Sequence, residues 1–594
     1  MADHDRLIRR QELDFLLFDL LEVERLLAWP RFREHDRSSI GGVLDAAAAL
    51  AASHFLTHDR KSDRQEPRLE NGRVLIVPEV KHALQHFADA GFLSAHHDHG
   101  HGGLQLPWAV AQAGFAHFQA ANVATFAYPF LTIAGGNLLA RFGSENQKRR
   151  YLPGLLSGRF FGTMAMSEPE VGSSLGDIRT TAAPAPDGTY RLRGTKMWIS
   201  CGEHDLAPTI VHLVLGRIEG APPGPKGLSL FIVPKHAVGP DGAPGARNEV
   251  ACVGLNHKMG YRGAVNTVLA FGEGQGARAE LIGGPGQGLA IMFHMMNEAR
   301  IGVGMSAVAL ASRGYLASLR YAKERRQGRP PDLKDRAAPP VPIIAHADVR
   351  RLLLKQKAVA EGGLALGLFL ALQVDRQRFA PDPSEQEEAA RLLDLLTPVF
   401  KAFFSDQALA ANDAAIQVLG GYGYSSDFEV EQLWRDNRLN PIHEGTNGIQ
   451  AIDLLGRKVL GGAGALECFV DLANRVVAAC GRDDELAGLA SELAAALDLL
   501  ERVAAAARMI HEEEGPRLAL AHASAFMDLA GRVVLAWVWL WQASAARRTG
   551  HPLASSRLTA CRYVFTFELP PIHALARPIL GRDRLLVDLD EAGL

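Results

Sequence analysis

Residues 441–448 read Pro441-Ile442-His443-Glu444-Gly445-Thr446-Asn447-Gly448. A carboxylate beside a glycine, closing a helical tract rich in polar residues, suits a place where the backbone comes close to a ligand, because glycine has no Cβ. Taken alone, the segment reads equally well as a surface turn, so its neighbours decide. Upstream, Gln417-Val418-Leu419-Gly420-Gly421-Tyr422-Gly423 carries paired glycines that either admit a flat or phosphorylated ligand or simply end a helix. Further upstream, Ser167-Glu168-Pro169-Glu170-Val171-Gly172-Ser173-Ser174 reads as a loop and Lys196-Met197-Trp198-Ile199-Ser200 as a strand. Trp198 covers an aromatic ring system or fills a core.

The periodicity around these segments divides the chain. Leu13, Leu16, Leu17, Leu20, Leu21 and Val23 form one apolar stripe, Val43–Phe55 is rich in helix formers, and Ser144 with Gln147 predicts a capping box, so residues 1–162 read as all-helical. Pro153 and Gly154 disturb the helix that Ser144 opens. From about 163 to 283 the chain changes to short β-branched or aromatic runs, Tyr190–Leu192, Lys196–Ser200, Thr209–Leu215, Leu228–Val233 and Val265–Phe271, separated by Gly, Pro and Asp clusters. That predicts an antiparallel β domain. Residues 284–460 return to helical spacing, and after Gly461-Gly462-Ala463-Gly464, read as a linker, an additional alanine- and leucine-rich helical domain fills 461–594. The fold class is therefore α+β and multidomain.

Composition narrows the function. At 594 residues and 47% apolar content the chain exceeds one ordinary core. Its 63 basic and 66 acidic residues, a formal charge of −3, offer no global attraction to nucleic acid or an anionic membrane. The five cysteines, Cys201, Cys252, Cys468, Cys480 and Cys561, contain no C-x-x-C pair, which points to a reducing cytoplasm and to neither a zinc ribbon nor a disulfide framework. The charged N-terminus lacks the apolar core of a signal peptide. No apolar run is expected to reach the roughly 20 residues of a membrane span, Val533–Trp541 being the nearest candidate.

In their order and spacing, including 27 residues from Gln417 to Glu444, these segments resemble the acyl-CoA dehydrogenase family over about residues 90–460. The added terminal helices resemble the larger bacterial branch that includes 3-methylmercaptopropionyl-CoA dehydrogenases. The resemblance implies a central β domain between helical domains, the later one a four-helix bundle, and FAD as cofactor. It also implies an acyl-CoA substrate, a place in fatty-acid and lipid metabolism, an electron-transfer flavoprotein as acceptor, and at least a homodimer. Glu444 is then the base for the α-proton, while flavin N5 takes the β-hydride to leave trans-2-enoyl-CoA. Met164, Met166, Ser167, Gly172 and Ser173 would line the flavin and its pyrophosphate, and Trp198, Ile199 and Ser200 would flank the ring. Arg325, Gln417, Gly420 and Gly421 match contacts to FAD on a neighbouring subunit, and Thr446 and Asn447 match contacts near the base. Ser173, Arg300 and Gly445 are the substrate-side residues, Arg300 toward CoA. Several positions depart from the family pattern: His443 stands where many relatives carry tyrosine, Ser167 replaces a threonine, and Ser173-Ser174 replaces Ser-Asp. Glu298 lies one residue from an alternative base position used by some relatives.

Other motifs carry less. His96-His97-Asp98-His99-Gly100-His101 has metal-ligand residue types, but with Gly102-Gly103-Leu104 following it resembles a loop of the same family, and no metal is assigned. Gly172-Ser173-Ser174-Leu175-Gly176 satisfies G-x-S-x-G, yet a nucleophile elbow must join a strand to a helix, and the flanks read otherwise. An acyl-CoA oxidase shares the first half-reaction and passes electrons to oxygen. A DNA-binding stress flavoprotein of the same fold needs a basic surface, whereas residues 461–594 hold 13 arginines, no lysine and 17 acidic residues, a formal charge of −4.

Overall fold

The computed structural model describes residues 6–335, 337–462 and 464–594, without the side chains of His294, Met295 and Asn297. The head of the charged N-terminus and Ala463 of the glycine linker lie outside the described residues. The chain forms two compact units, one of Met1–Leu44, Pro107–Ala116 and Val303–Leu594, the other of Asp45–Leu106 and His117–Gly302.

The second unit contains the sheet. Ahead of it lie the Val123–Phe142 helix, capped by Asn122, and the Glu145–Leu156 helix, opened by the reciprocal Ser144–Gln147 capping box. That helix runs on through exposed Pro153, held by the buried Tyr151, Leu152, Leu155 and Leu156 around it. Phe55, Phe87 and Phe92 converge edge-on around Phe118. This part is not all-helical: strands β1 (Arg68–Glu70) and β2 (Arg73–Leu75) form a hairpin whose Asn71-Gly72 turn has both residues at positive φ.

The main sheet begins with β3 (Phe160–Ala165), continues through β4 (Thr181–Pro184), β5 (Tyr190–Ser200), β6 (Thr209–Ile218) and β7 (Leu228–Pro234), and ends with β10 (Val250–Leu255), β11 (Asn266–Phe271) and β12 (Ala277–Ile282). Strands β8 (His236–Val238) and β9 (Pro244–Arg247) make a small separate ribbon. The expected antiparallel arrangement needs correction, because β3 and β4 each pair with β6 in parallel. β5, β12, β7, β6 and β4 pair in a closed circuit, which leaves those strands no free edge. Ala165, Leu192, Ile199, Val214, Phe231 and Leu269 fill its core.

The first unit is helical. The Ala347–Phe379 and Pro383–Leu419 helices pack closely, helped by Gly367, where a Cβ would meet the Phe400 ring at 2.7 Å. The residues after 464 share this core. Trp539, on the Ala523–Arg548 helix, donates to the Ala358 carbonyl at 2.9 Å, and buried Arg557 pairs with both Glu12 and Glu361 at 2.5 Å.

The expectation that no apolar run reaches membrane-spanning length is corrected. Arg37–Arg64, Val123–Phe142, Ala347–Phe379 and Ala523–Arg548 are long and apolar enough by length and composition. Each holds an 18-residue stretch with at most two charged residues. The most apolar stretch is 100% buried in Ala347–Phe379, 78% in Val123–Phe142 and Ala523–Arg548, and 39% in Arg37–Arg64. Burial on that scale in the first three is what a protein core requires of such helices.

Candidate active site

In the second unit, β5 carries a bulge. Ile199 pairs with Thr267 and Lys196 with Leu269, so Met197 and Trp198 together oppose Val268. Trp198 takes up the extra residue with φ 64° and turns its indole outward, 56% exposed. Ile199, next along, is 2% exposed and packs in the sheet core, so only its backbone is available to a ligand. Met197 N–H donates to the Ser167 carbonyl at 3.0 Å, which sets the Met166–Ser167 segment beside the Trp198 bulge. Ser200 Oγ accepts from Asn266 at 3.3 Å. Met164 is buried on β3, while Gly172 and Ser173 are exposed just beyond the tight Glu168–Val171 turn.

Two residues not assigned from sequence brace this arrangement. Fully buried Lys196 donates to the Met166 carbonyl at 2.9 Å and to Glu168 at 3.0 Å. Glu168 also accepts from the Arg179 and Thr180 N–H groups and from the Thr180 hydroxyl. Burial pushes the Lys196 ammonium down to about 8 against the pull of Glu168. Burial acts to raise the Glu168 carboxyl, but Lys196 and the Thr180 and Arg179 donors outweigh it and hold the group below its ordinary value. An exposed indole face next to half-buried Met166 and Ser167, with Ser200 two residues on, fits a flat aromatic tricycle such as the FAD ring.

G-x-S-x-G does not form an elbow: β3 ends at Ala165, and only a single 3₁₀ turn, Leu175–Asp177, follows the serines. In the histidine run, His96 Nε2 lies 2.7 Å from Asn137 Oδ1, and His99 Nδ1 lies 3.0 Å from the Gly103 carbonyl. Asn137 also donates to Glu298 at 2.6 Å. Arg300, expected to reach CoA, is 4% exposed and is an interior residue rather than a surface one.

In the first unit, Glu444 and Gly445 are consecutive left-handed residues, φ 55° and 87°. A Cβ at Gly445 would meet Gln450 Nε2 at 2.7 Å. The turn is fixed from several sides. Lys401, buried on the Pro383–Leu419 helix, donates to the Gly445 carbonyl at 2.6 Å and to Asn447 Oδ1 at 3.0 Å. Gln450 donates to the Glu444 carbonyl at 3.1 Å, and Asn447 donates to the Ala402 carbonyl and to Ser405 Oγ, each at 3.1 Å. Thr446 caps the short Asn447–Ile452 helix.

A buried asparagine ladder leads to the residue before the base. Asn412 donates to the Leu310 carbonyl at 3.0 Å, Asn437 to Asn412 at 2.6 Å, and Asn440 to Asn437 at 2.9 Å; His443 Nε2 lies 3.1 Å from Asn440 Oδ1. Burial, with the Lys401 charge, pushes the His443 imidazole down to about 3, so it is neutral at ordinary pH. The sequence held a signal for part of this: Lys401, Ser405 and Asn412 lie on one helical stripe whose other members are apolar, and polar groups there need internal partners.

Arg325 follows the end of the Gly288–Glu324 helix and lies over the Tyr422 ring, 5.8 Å from its centroid. That brings it to Gly420 and Gly421, while Gln417 is exposed on the preceding turn. Gly420 (φ 63°, ψ −136°) breaks the helix with a conformation that side chains rarely adopt.

Comparison with known proteins agrees with this architecture. Acyl-CoA dehydrogenase N-terminal, middle and C-terminal domain families match residues 43–159, 163–272 and 286–460, and a family described as acetyl-CoA dehydrogenase C-terminal like matches 469–590. The chain is 37% identical to 3-methylmercaptopropionyl-CoA dehydrogenase of Ruegeria pomeroyi over 529 residues, 87% of this chain and 88% of that protein. Among solved structures, Caenorhabditis elegans ACDH-11 in complex with C11-CoA superposes with TM-score 0.82 at 20% identity, covering 99% of this chain and 95% of that one. Bacillus anthracis acyl-CoA dehydrogenase complexed with FAD gives 0.75 at 21% identity, covering 95% and 93%. The chain belongs to the acyl-CoA dehydrogenase family, FAD-dependent oxidoreductases acting on acyl-CoA.

Proposed function

We propose that this chain converts an acyl-CoA thioester to the trans-2-enoyl-CoA, with Glu444 as the base that takes the α-proton. The observation that supports this reading most is the Glu444 backbone. A non-glycine residue in the left-handed region costs of order 1–3 kcal/mol and persists where its surroundings over-determine it, as Lys401, Gln450 and Asn447 do here.

An α-proton beside a thioester is weakly acidic, so a carboxylate removes it only if the developing enolate is stabilised. The Glu444 N–H serves as one donor to the thioester oxygen, and the braced turn fixes that donor and the carboxylate together. FAD, when bound, supplies the two-electron acceptor for the β-hydride. Trp198 covers its ring, Met166, Ser167 and Ser200 line it, and Gly172 and Ser173 approach its pyrophosphate. Met164 and Ile199 act through their backbone. Arg325, Gln417, Gly420 and Gly421 hold FAD belonging to a second copy of the chain, which makes the working form at least a homodimer. Thr446 and Asn447 hold the cofactor near the base. Electrons then pass to an electron-transfer flavoprotein, and the enzyme works in the cytoplasm.

The test is anaerobic flavin bleaching by acyl-CoAs of graded length and branching, followed by aerobic turnover. Bleaching by at least one thioester, with little peroxide in the absence of an added acceptor, is the expected result. Stoichiometric peroxide moves the assignment to an oxidase, and no bleaching by any thioester removes it.

A further inference from the structure

The asparagine ladder fixes which nitrogen of His443 carries its proton. It starts at two backbone carbonyls of the Gly288–Glu324 helix, groups that can only accept. Asn412, on the Pro383–Leu419 helix, donates to the Leu310 carbonyl at 3.0 Å, and Asn437, at the end of the Val430–Asn437 helix, donates to the Ala307 carbonyl at 3.1 Å. Those two contacts settle which end of each amide is nitrogen. Asn412 then turns its oxygen to Asn437, which gives it a second hydrogen at 2.6 Å, and Asn437 turns its own oxygen to the Asn440 nitrogen at 2.9 Å. Asn440 Oδ1 faces His443 Nε2 at 3.1 Å. An amide oxygen has no hydrogen to give, so Nε2 is the N–H of the ring and Nδ1 carries no proton.

The polarity of the ladder is hard to reverse. Asn412, Asn437 and Asn440 have no exposed surface, and turning one amide over would set like atoms against each other away from water. Room for the first rung is made at Gly314, where a Cβ would lie 2.5 Å from Asn412 Nδ2. A second proton on the ring is opposed by burial and by the Lys401 charge.

One peptide bond joins His443 to the residue it serves. The Glu444 N–H belongs to the peptide that begins at the His443 carbonyl carbon, and the His443 N–H donates to the Leu439 carbonyl at 3.2 Å. With backbone and imidazole both tied, His443 limits the swing of that peptide on the N-terminal side of Glu444, as Lys401 does through the Gly445 carbonyl on the C-terminal side.

We propose that His443 is a positioning residue, held by the ladder as a neutral Nε2–H donor, which aims the Glu444 N–H and carboxylate at the thioester without itself exchanging a proton with it. The proposal rests on the reading of Glu444 as the base.

The first test is ¹⁵N NMR of the full-length, FAD-loaded protein labelled at its 22 histidines, with the His443 signals identified by their loss in His443→Gln. Near neutral pH, Nε2 should give a protonated, pyrrole-type signal and Nδ1 a pyridine-type one. The opposite tautomer, or an imidazolium, overturns the proposal. The second test is anaerobic flavin bleaching by acyl-CoA. His443→Leu should lower the limiting rate by roughly tenfold, with flavin content unchanged and the half-saturating thioester concentration within about threefold, because a misaimed donor costs more at the enolate than at the bound thioester. His443→Gln, whose amide nitrogen repeats the donation to Asn440, should recover most of that loss. Asn440→Leu should slow bleaching through the same bond, so the double variant with His443→Leu should be slower than His443→Leu alone by less than about twofold. A parental rate in His443→Leu, no recovery in His443→Gln, or losses that multiply in the double variant each overturn the proposal. Bleaching that survives in Glu444→Gln instead removes the base reading, and the tautomer found by NMR is independent of that result.

Discussion

The Lys401 ammonium, with no exposed surface, donates to the carbonyl oxygen of Gly445 at 2.6 Å and so ties the loop of the proposed base to the middle of a 37-residue helix. Glu444 and Gly445 cannot relax out of the left-handed region without breaking that contact, and Gln450 holds the adjoining carbonyl. The direction of the carboxylate is thus encoded 43 positions away from it.

Removing the ammonium tests that coupling. Lys401→Met should lower stability by about 2–3 kcal/mol, because the Gly445 carbonyl and Asn447 lose a charged donor inside the protein. Urea unfolding reads the loss. Bleaching by acyl-CoA should slow by at least tenfold with FAD still bound, whereas a lysine that is merely structural leaves the bleaching rate unchanged.

Strain at the base predicts a trade between stability and function. Glu444→Gly should stabilise the fold by about 1 kcal/mol, since glycine takes φ 55° without steric cost and loses only part of that gain to chain entropy. Activity should vanish in the same protein. A lower urea midpoint for this variant contradicts the strain argument.

The sequence disclosed the elements better than their pairing. The Ser144–Gln147 capping box and the β-branched runs of β5, β6, β7 and β11 mark local chemistry that needs no partner to be recognised. The parallel contacts of β3 and β4 with β6, and the ladder Asn412–Asn437–Asn440–His443, join residues up to 49 and 25 positions apart, and no local period records such contacts. Trp198 stands out in the sequence as a residue type, but its outward turn follows from a bulge opposite Val268, which depends on the β5–β11 register. Lys196 lies inside the strand motif quoted from the sequence, yet only its burial next to Glu168 identifies it as a brace.

The Lys196–Glu168 pair should behave as a buried ion pair. Lys196→Met alone should cost about 3–5 kcal/mol by leaving the Glu168 charge without its counterion, and it should loosen FAD by freeing the Met166 carbonyl. The double variant Lys196→Met with Glu168→Gln should recover part of the stability. Equal stabilities for the single and double variants contradict the pairing.

Acid should destabilise the second unit through histidines held neutral. Burial pushes His204 and His212 down to about 3 and His97 to about 2, below the ordinary histidine value of 6.5. Between those limits the unfolded chain binds more protons than the folded one, so their contribution is complete above pH 6.5 and is lost as pH falls toward 3. Each such histidine adds up to about 1.4 kcal/mol per pH unit to the acid limb. His204→Gln should make the limb shallower by close to one proton in pH-dependent urea unfolding, and an unchanged slope contradicts the assignment.

The most direct measurement is anaerobic stopped-flow bleaching of the FAD-loaded Glu444→Gln variant by the best thioester of the screen. The amide keeps the size of the side chain and removes its basicity, so flavin content should match the parent while bleaching falls by about 10²–10⁴-fold, the usual worth of a positioned base. Bleaching at the parental rate, with the parental flavin content, contradicts the role given to Glu444.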